Sequence, residues 1–443
     1  MNTLSAAQVL ALAPDEASIK AARGLARPAK WLTLGHDEQA LWGECKGSAL
    51  YQISVEPGEP AFKCTCPSRK LPCKHVLALL LLAADEPGLL PAAPAPQWLL
   101  EWQAKRAQNA QRKAARAVAA TELDPEQQAQ RAVARDKRAS ARQRKVEAGL
   151  EELERWLRDL VRQGLAQAQR QPLRYWHDMA ARLVDAQAPG LARWLRDLGS
   201  IPASGEGWSG RLLAQLGHLF LLLEAYRRLD TLPETLQADI RGRIGWTLGE
   251  ADVPDGNWVR DRWLLLGQYT QEEEQIRMRR AWLWGHDCGR LALLLDFAHQ
   301  SQTLTPLAAP GSWLEAELGF FPSQYPLRAV LRNACALTAL DAAPPGWADG
   351  AALLDAYAGA LAQQPWLGLL PARLDNVVPA RSAANTWYLR DSAARLLPCH
   401  PGFSQGWPLL ALSGGQGLPV FGEWDGRQFR PLGAWVDGAF VAL

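Results

Sequence analysis

No stretch of the sequence is apolar for long enough to cross a membrane. The longest run, Val76–Ala84, is about half of the ~18 residues that a spanning helix needs. The opening segment, Met1–Glu16, lacks both a basic n-region and a cleavage signal, so it does not read as a secretory leader. Catalytic signatures are missing as well: there is no HExxH, no GxSxG elbow, no GxGxxG after a strand and no GxxxxGK(S/T) phosphate loop. Seven cysteines are too few for a disulfide scaffold in 443 residues. These absences lead us to expect a soluble, cytoplasmic protein that is not an enzyme.

What is present is uneven. Apolar residues make up 48% and charged residues 21%, ordinary for a globular chain with room for about three domains. The overall charge of +2 hides a strong asymmetry. Residues 104–145 hold twelve Lys/Arg against four acids, a net +8, and residues 61–84 add Lys63, Arg69, Lys70 and Lys74 with no acid. Within the first segment Arg131, Arg135, Arg138, Arg142 and Lys145 recur at 4-3-4-3 spacing, which predicts one basic stripe along a helix. Such a stripe is either a solvated face or a track for phosphates.

The N-terminal residues 5–25 read as two short helices broken at Pro14, followed by strands at Trp31–Leu34, Ala40–Cys45, Leu50–Val55 and Ala61–Cys64. His75–Ala84 reads as a buried helix. PGLLPAAPAP (87–96) reads as a linker that few contacts should cross. Two helices, 98–120 and 125–162, should form a hairpin. The second turns apolar at Val146, Leu150, Leu153, Leu157 and Leu160. Leu153–Leu160 recurs as Leu191–Leu198 after 38 residues, so 150–300 reads as stacked helices, with Arg211–Leu229 and Glu272–Trp284 among the clearest. Trp313–Phe321 and Pro326–Leu331 suggest a small hairpin. Short aromatic strands at Trp387–Leu389, Pro408–Leu412, Pro419–Trp424 and Phe429–Val436, with Asp-Gly turns at 425 and 437, close the chain. The pentapeptide Leu412–Gln416 spells the ABC-transporter signature, but with no phosphate loop it reads as a turn between strands.

One segment carries chemistry. Cys64, Cys66, Cys73 and His75 stand at C-x-C-x6-C-x-H spacing, and Cys3His is a standard structural zinc set. Residues two apart in extended chain share a face, so each pair can chelate one ion. Pro67 and Pro72 bracket the intervening loop and lower the entropy of closing it. With all four positions filled, one zinc would be structural rather than catalytic. Cys45 reads as core, and the pairs Cys399-His400, His286-Asp287 and His177-Asp178 read as packing.

The spacing resembles the SWIM-type zinc finger, C-x-C-x(n)-C-x-H in a ββα setting, with every ligand position matched. Cys66–His75, Asp185–Ala192 and Phe421–Gly426 also resemble one bacterial group of SWIM proteins of similar length. That resemblance implies gene neighbours, and hence partners, of the MoxR-type AAA+ ATPase and von Willebrand A-domain classes. The expected chain is multidomain and mainly α. Residues 1–86 carry the finger (about 50–85), 87–96 a linker, 97–145 a basic hairpin, 146–380 a helical, repeat-like body and 381–443 a small β module. We expect an adaptor for protein partners. The alternative is nucleic-acid binding through Lys63, Arg69, Lys70, Lys74 and the 131–145 stripe.

Overall fold

The computed structural model describes residues 4–443 except 15, 57–60, 69, 71, 122–124, 274–275, 300–303 and 305–306. Helices α1 (Ala6–Ala11) and α2 (Glu16–Leu25) come first. Ser5 caps α1: its hydroxyl accepts from the Gln8 backbone N–H, and the Gln8 side chain accepts from the Ser5 N–H. Then β1 (Trp31–His36), β2 (Leu41–Lys46), β3 (Leu50–Glu56) and β4 (Ala61–Cys64) form an antiparallel sheet in sequence order, with β4 at one edge. Helix α3 (Lys74–Asp85) buries every residue from His75 to Ala83. Burial all round is possible because the sheet and α1–α2 both pack on it.

The proline-rich segment 87–96 is not free chain. His36 donates its backbone N–H to the Pro91 carbonyl at 3.0 Å, and Ala93 donates to the His36 carbonyl at 3.0 Å. Leu90 is buried, Leu99 packs on Ala40 and Trp42, and Arg106 forms an ion pair with Glu56. Contacts therefore cross a segment that its composition marks as a linker. Proline lacks a donor but keeps its carbonyl and apolar ring, which suits the edge of a sheet.

Two long helices follow, α4 (Gln97–Thr121) and α5 (Pro125–Gln163). The C-terminal part of α5 packs with α6 (Leu165–Ala168), α7 (Leu173–Asp185), α8 (Pro189–Leu198), α9 (Trp208–Arg227) and α10 (Glu234–Ile244). The apolar stripe of α5 from Val146 to Leu160 is buried in this core, as its spacing requires. The repeated Leu153 and Leu191, Leu157 and Leu195, and Leu160 and Leu198 all face the same core, from α5 and α8.

From Trp258 to His299 the helical expectation fails. Strands β5 (Trp258–Glu273), β6 (Ile276–Gly285), β7 (Leu291–His299), β8 (Trp313–Phe320) and β9 (Arg328–Leu337) close a barrel in the order β5-β6-β7-β9-β8, with β7 and β9 parallel. The described part of the stretch read as helix at 272–284 is the end of β5 and most of β6. The physical reason is burial on both faces. Ala281 and Leu283 fill the barrel, while Trp282 and Trp284 lie on its outside under another layer. A strand covered twice loses its period-2 pattern and looks like a buried helix.

That outer layer begins with α11 (Gly350–Gln363). It continues through β10 (Leu370–Arg381), β11 (Trp387–Arg390), β12 (Leu396–Pro398), α12 (Gly406–Ser413), β13 (Leu418–Trp424), β14 (Phe429–Val436) and β15 (Ala439–Ala442). The sheet runs β12-β11-β10-β13-β14-β15 and packs Phe421, Leu432 and Trp435 on the barrel. Buried in this contact, Glu423 accepts from Tyr269 Oη at 2.7 Å and Trp282 Nε1 at 2.6 Å. Residues 408–412 are helix rather than strand, and the ABC-like pentapeptide ends α12 with Gly414 left-handed at φ +55°. With 42% helix, 29% strand and three sheets among the described residues, the protein is not mainly α. No described helix is long and apolar enough to cross a membrane.

The α8–α10 crossing is tight enough to test. A Cβ at Gly190 would lie 2.2 Å from the Arg243 carbonyl oxygen, whereas one at Gly242 meets nothing within 4 Å. Gly190→Ala should cost about 1–3 kcal/mol by overpacking. Gly242→Ala, in a helix interior, should be neutral or gain roughly 0.5–1 kcal/mol. Urea unfolding followed by far-UV circular dichroism checks both; equal stabilities would refute the close crossing.

Candidate metal centre

The centre is assembled by the end of one strand and the start of one helix. Thr65 extends the β3–β4 pairing, its N–H donating to the Gln52 carbonyl at 3.1 Å and its hydroxyl accepting from the Gln52 N–H at 2.9 Å. Extended chain through Thr65 places Cys64 and Cys66 on one face. Cys73 is the N-cap of α3 and His75 lies in its first turn. Ligand atoms of all four residues lie within 4.8 Å of one another. His75 Nδ1 is 3.8 Å from Cys64 Sγ and 4.0 Å from Cys73 Sγ. A tetrahedral zinc sets sulfur–nitrogen edges of roughly 3.6 Å and sulfur–sulfur edges of roughly 3.8 Å, so the donor set fits the ion.

The electrostatics favour metal over free thiols. Cys73 is pulled down to about 4, chiefly by its hydrogen bond with Cys64 and then by His75 and the N–H groups of the helix terminus. Cys64 is pushed well up by sharing a proton with Cys73, by burial and by that neighbouring charge; burial raises Cys66. Three thiols this close cannot all ionise without a cation among them. His75 is 3% exposed and its ring lies 4.8 Å from that of Tyr51, whose hydroxyl meets Ser48 Oγ at 2.6 Å. Tyr51 thus braces a ligand from the start of β3. The sequence marks it only as one apolar position of an alternating strand. Cys45 is fully buried outside the cluster.

Residues 60–84 match the model of the SWIM zinc finger, and residues 141–244 match that of the SWIM-associated four-helix bundle domain. The chain carries a SWIM zinc finger. No curated protein and no solved structure matches it. The SWIM bundle model covers the part of α5 that turns apolar and runs to the end of α10, which is the helical core described above. The finger holds a structural zinc through Cys64, Cys66, Cys73 and His75.

The described cationic residues of the finger and of the stripe differ in their surroundings. Lys63 alternates with Cys64 on β4 and so stands on the opposite face from the metal, while Lys70 and Lys74 are exposed beside the zinc loop. Arg69 and the side chains of Arg131 and Arg135 lie outside the described residues. Arg138 and Lys145 are exposed. Arg142 is engaged: its guanidinium stacks 4.8 Å from the Trp246 ring centre and donates to the Gly245 carbonyl at 3.0 Å, just past the end of α10.

Zinc loading needs thiolates, so bound metal and protons compete. In the metal-free finger Cys73 is already ionised at neutral pH, while Cys64 and Cys66, both raised, keep their protons. Loading should therefore release about two protons per zinc at pH 7, and occupancy should fall as pH falls. Calorimetry in buffers of different ionisation enthalpy counts the protons; a count near zero would be inconsistent with this site. Cys73→Ser should lose the metal and destabilise residues 40–85.

Proposed function

We propose that the protein is a non-catalytic adaptor whose zinc finger, bundle and β layers present docking surfaces to other proteins. The observation that carries this reading is the dispersal of its cationic groups. Lys63 lies on the face of β4 away from the metal, and Arg142 is engaged at the α5–α10 joint, so among the described residues these two stand apart from the exposed cations. The resemblance to SWIM proteins found beside MoxR-type ATPases and von Willebrand A-domain proteins makes those classes the first partners to try. Nucleic-acid binding is the second reading, favoured by the exposed Arg138, Lys145, Lys70 and Lys74.

Tagged full-length protein captured from native lysate, with and without nuclease, separates the two. The adaptor reading expects the same protein partners in both samples. It falls if the partners vanish with nuclease and duplex affinity drops steeply with salt. A variant sharpens the contrast: Arg142→Ala should cost the bundle about 1–2 kcal/mol through the lost stacking and hydrogen bond. Its affinity for duplex DNA should match wild type. Lower affinity without lost stability would place Arg142 on phosphate instead.

A further inference from the structure

A cleft of about 690 Å³ opens where the finger, the barrel and the C-terminal sheet meet. One wall belongs to the zinc module: Ile19 of α2, Phe62 of β4, and Pro72, the residue before the ligand Cys73. The opposite wall is Phe403, Pro431 and Leu432 from the C-terminal layer. Arg23 and Arg430 stand on the two walls, and Glu16, on the same helix as Arg23, is the acid among the lining residues. Arg23 is exposed, with no ion-pair partner among the described residues. Arg430 stacks 4.8 Å from the Tyr269 ring centre and donates to the His400 ring at 2.7 Å, and among the described residues it forms no ion pair. Its neighbour Arg279 is different, being paired with Asp296 at 3.0 Å.

A third feature selects the shape of an occupant. β4 is an edge strand, and among the described residues no strand pairs with its outer side. Exposed edges recruit extended chain, whose backbone completes the ladder while alternate side chains enter neighbouring pockets. Apolar groups such as Ile19, Phe62 and Phe403 suit side chains better than phosphates, and guanidinia on both walls disfavour a basic peptide.

We propose that this cleft docks an extended peptide of a partner protein, laid beside β4, with apolar side chains between the walls and acidic ones at Arg23 and Arg430. The assignment rests on the adaptor reading and supplies its partner chemistry. Because Pro72 lies in the zinc loop and Phe62 on the strand that leads into it, removing the metal should weaken the site.

A random peptide phage library panned against the zinc-loaded full-length protein tests this. Enriched peptides should alternate apolar and acidic residues. Fluorescein-labelled copies should bind at least tenfold more weakly to Arg23→Glu and to Phe403→Asp, both with unchanged circular dichroism, and to chelated protein. Three outcomes overturn the proposal: no enrichment, enrichment of basic peptides, or binding indifferent to both variants. Labelled oligo(dT) that binds wild type and is lost in the same variants would also overturn it, assigning the cleft to nucleic acid. If lysate partners survive nuclease yet bind Arg23→Glu and Phe403→Asp as well as wild type, the adaptor reading stands and the cleft proposal falls.

Discussion

Everything in the N-terminal third hangs on the junction between the end of β4 and the first turn of α3. Helix α3 is the hub there: the sheet packs on it and so do both preceding helices. Its start is fixed by Cys73 and His75, and the loop leading to it has little core of its own. Drawing one helix terminus and one strand end onto a single ion supplies the anchoring that so small a core lacks. The low proton affinity of Cys73 and the high one of Cys64 are two sides of the same crowding, which the cation relieves.

The finger was legible because its information is local. Four ligands, two prolines and an alternating strand lie within about 25 residues, and chemistry at fixed spacing leaves few alternatives. The bundle was legible to a lesser degree, since the α5 stripe shows one wet end and one dry end. The barrel was not. Runs such as Leu264–Leu266 and Leu293–Leu295 owe their apolarity to two different neighbours, the barrel interior and the C-terminal sheet, and no window of sequence contains both. The helix α12 was missed for a related reason: Pro408–Leu412 is short and apolar and packs on β10 and β14 with Leu409 buried, and its glycine cap looks like a hairpin turn from sequence alone.

Arg142 shows a subtler failure. Its periodicity with Arg138 and Lys145 is real, yet one stripe on a helix can serve two ends. Near the bundle, a guanidinium on a tryptophan face covers apolar surface and satisfies a carbonyl at a helix end. Spacing reveals which face a residue occupies; only the neighbouring helix reveals what that face is for.

Helix α1 rests on α3 and also touches β15, and Ala309 reaches into the finger's core from the loop before β8. Residues near position 10 thus wait for residues near position 440. During synthesis the zinc ligands and most of their core emerge early, and the ion can be captured while the barrel is still unmade. The cleft comes later, because its Phe403–Leu432 wall follows the zinc ligands by more than 300 residues. A nascent or shortened chain can therefore carry metal without offering the surface, so that zinc content reports that the finger has folded but not that the protein is finished.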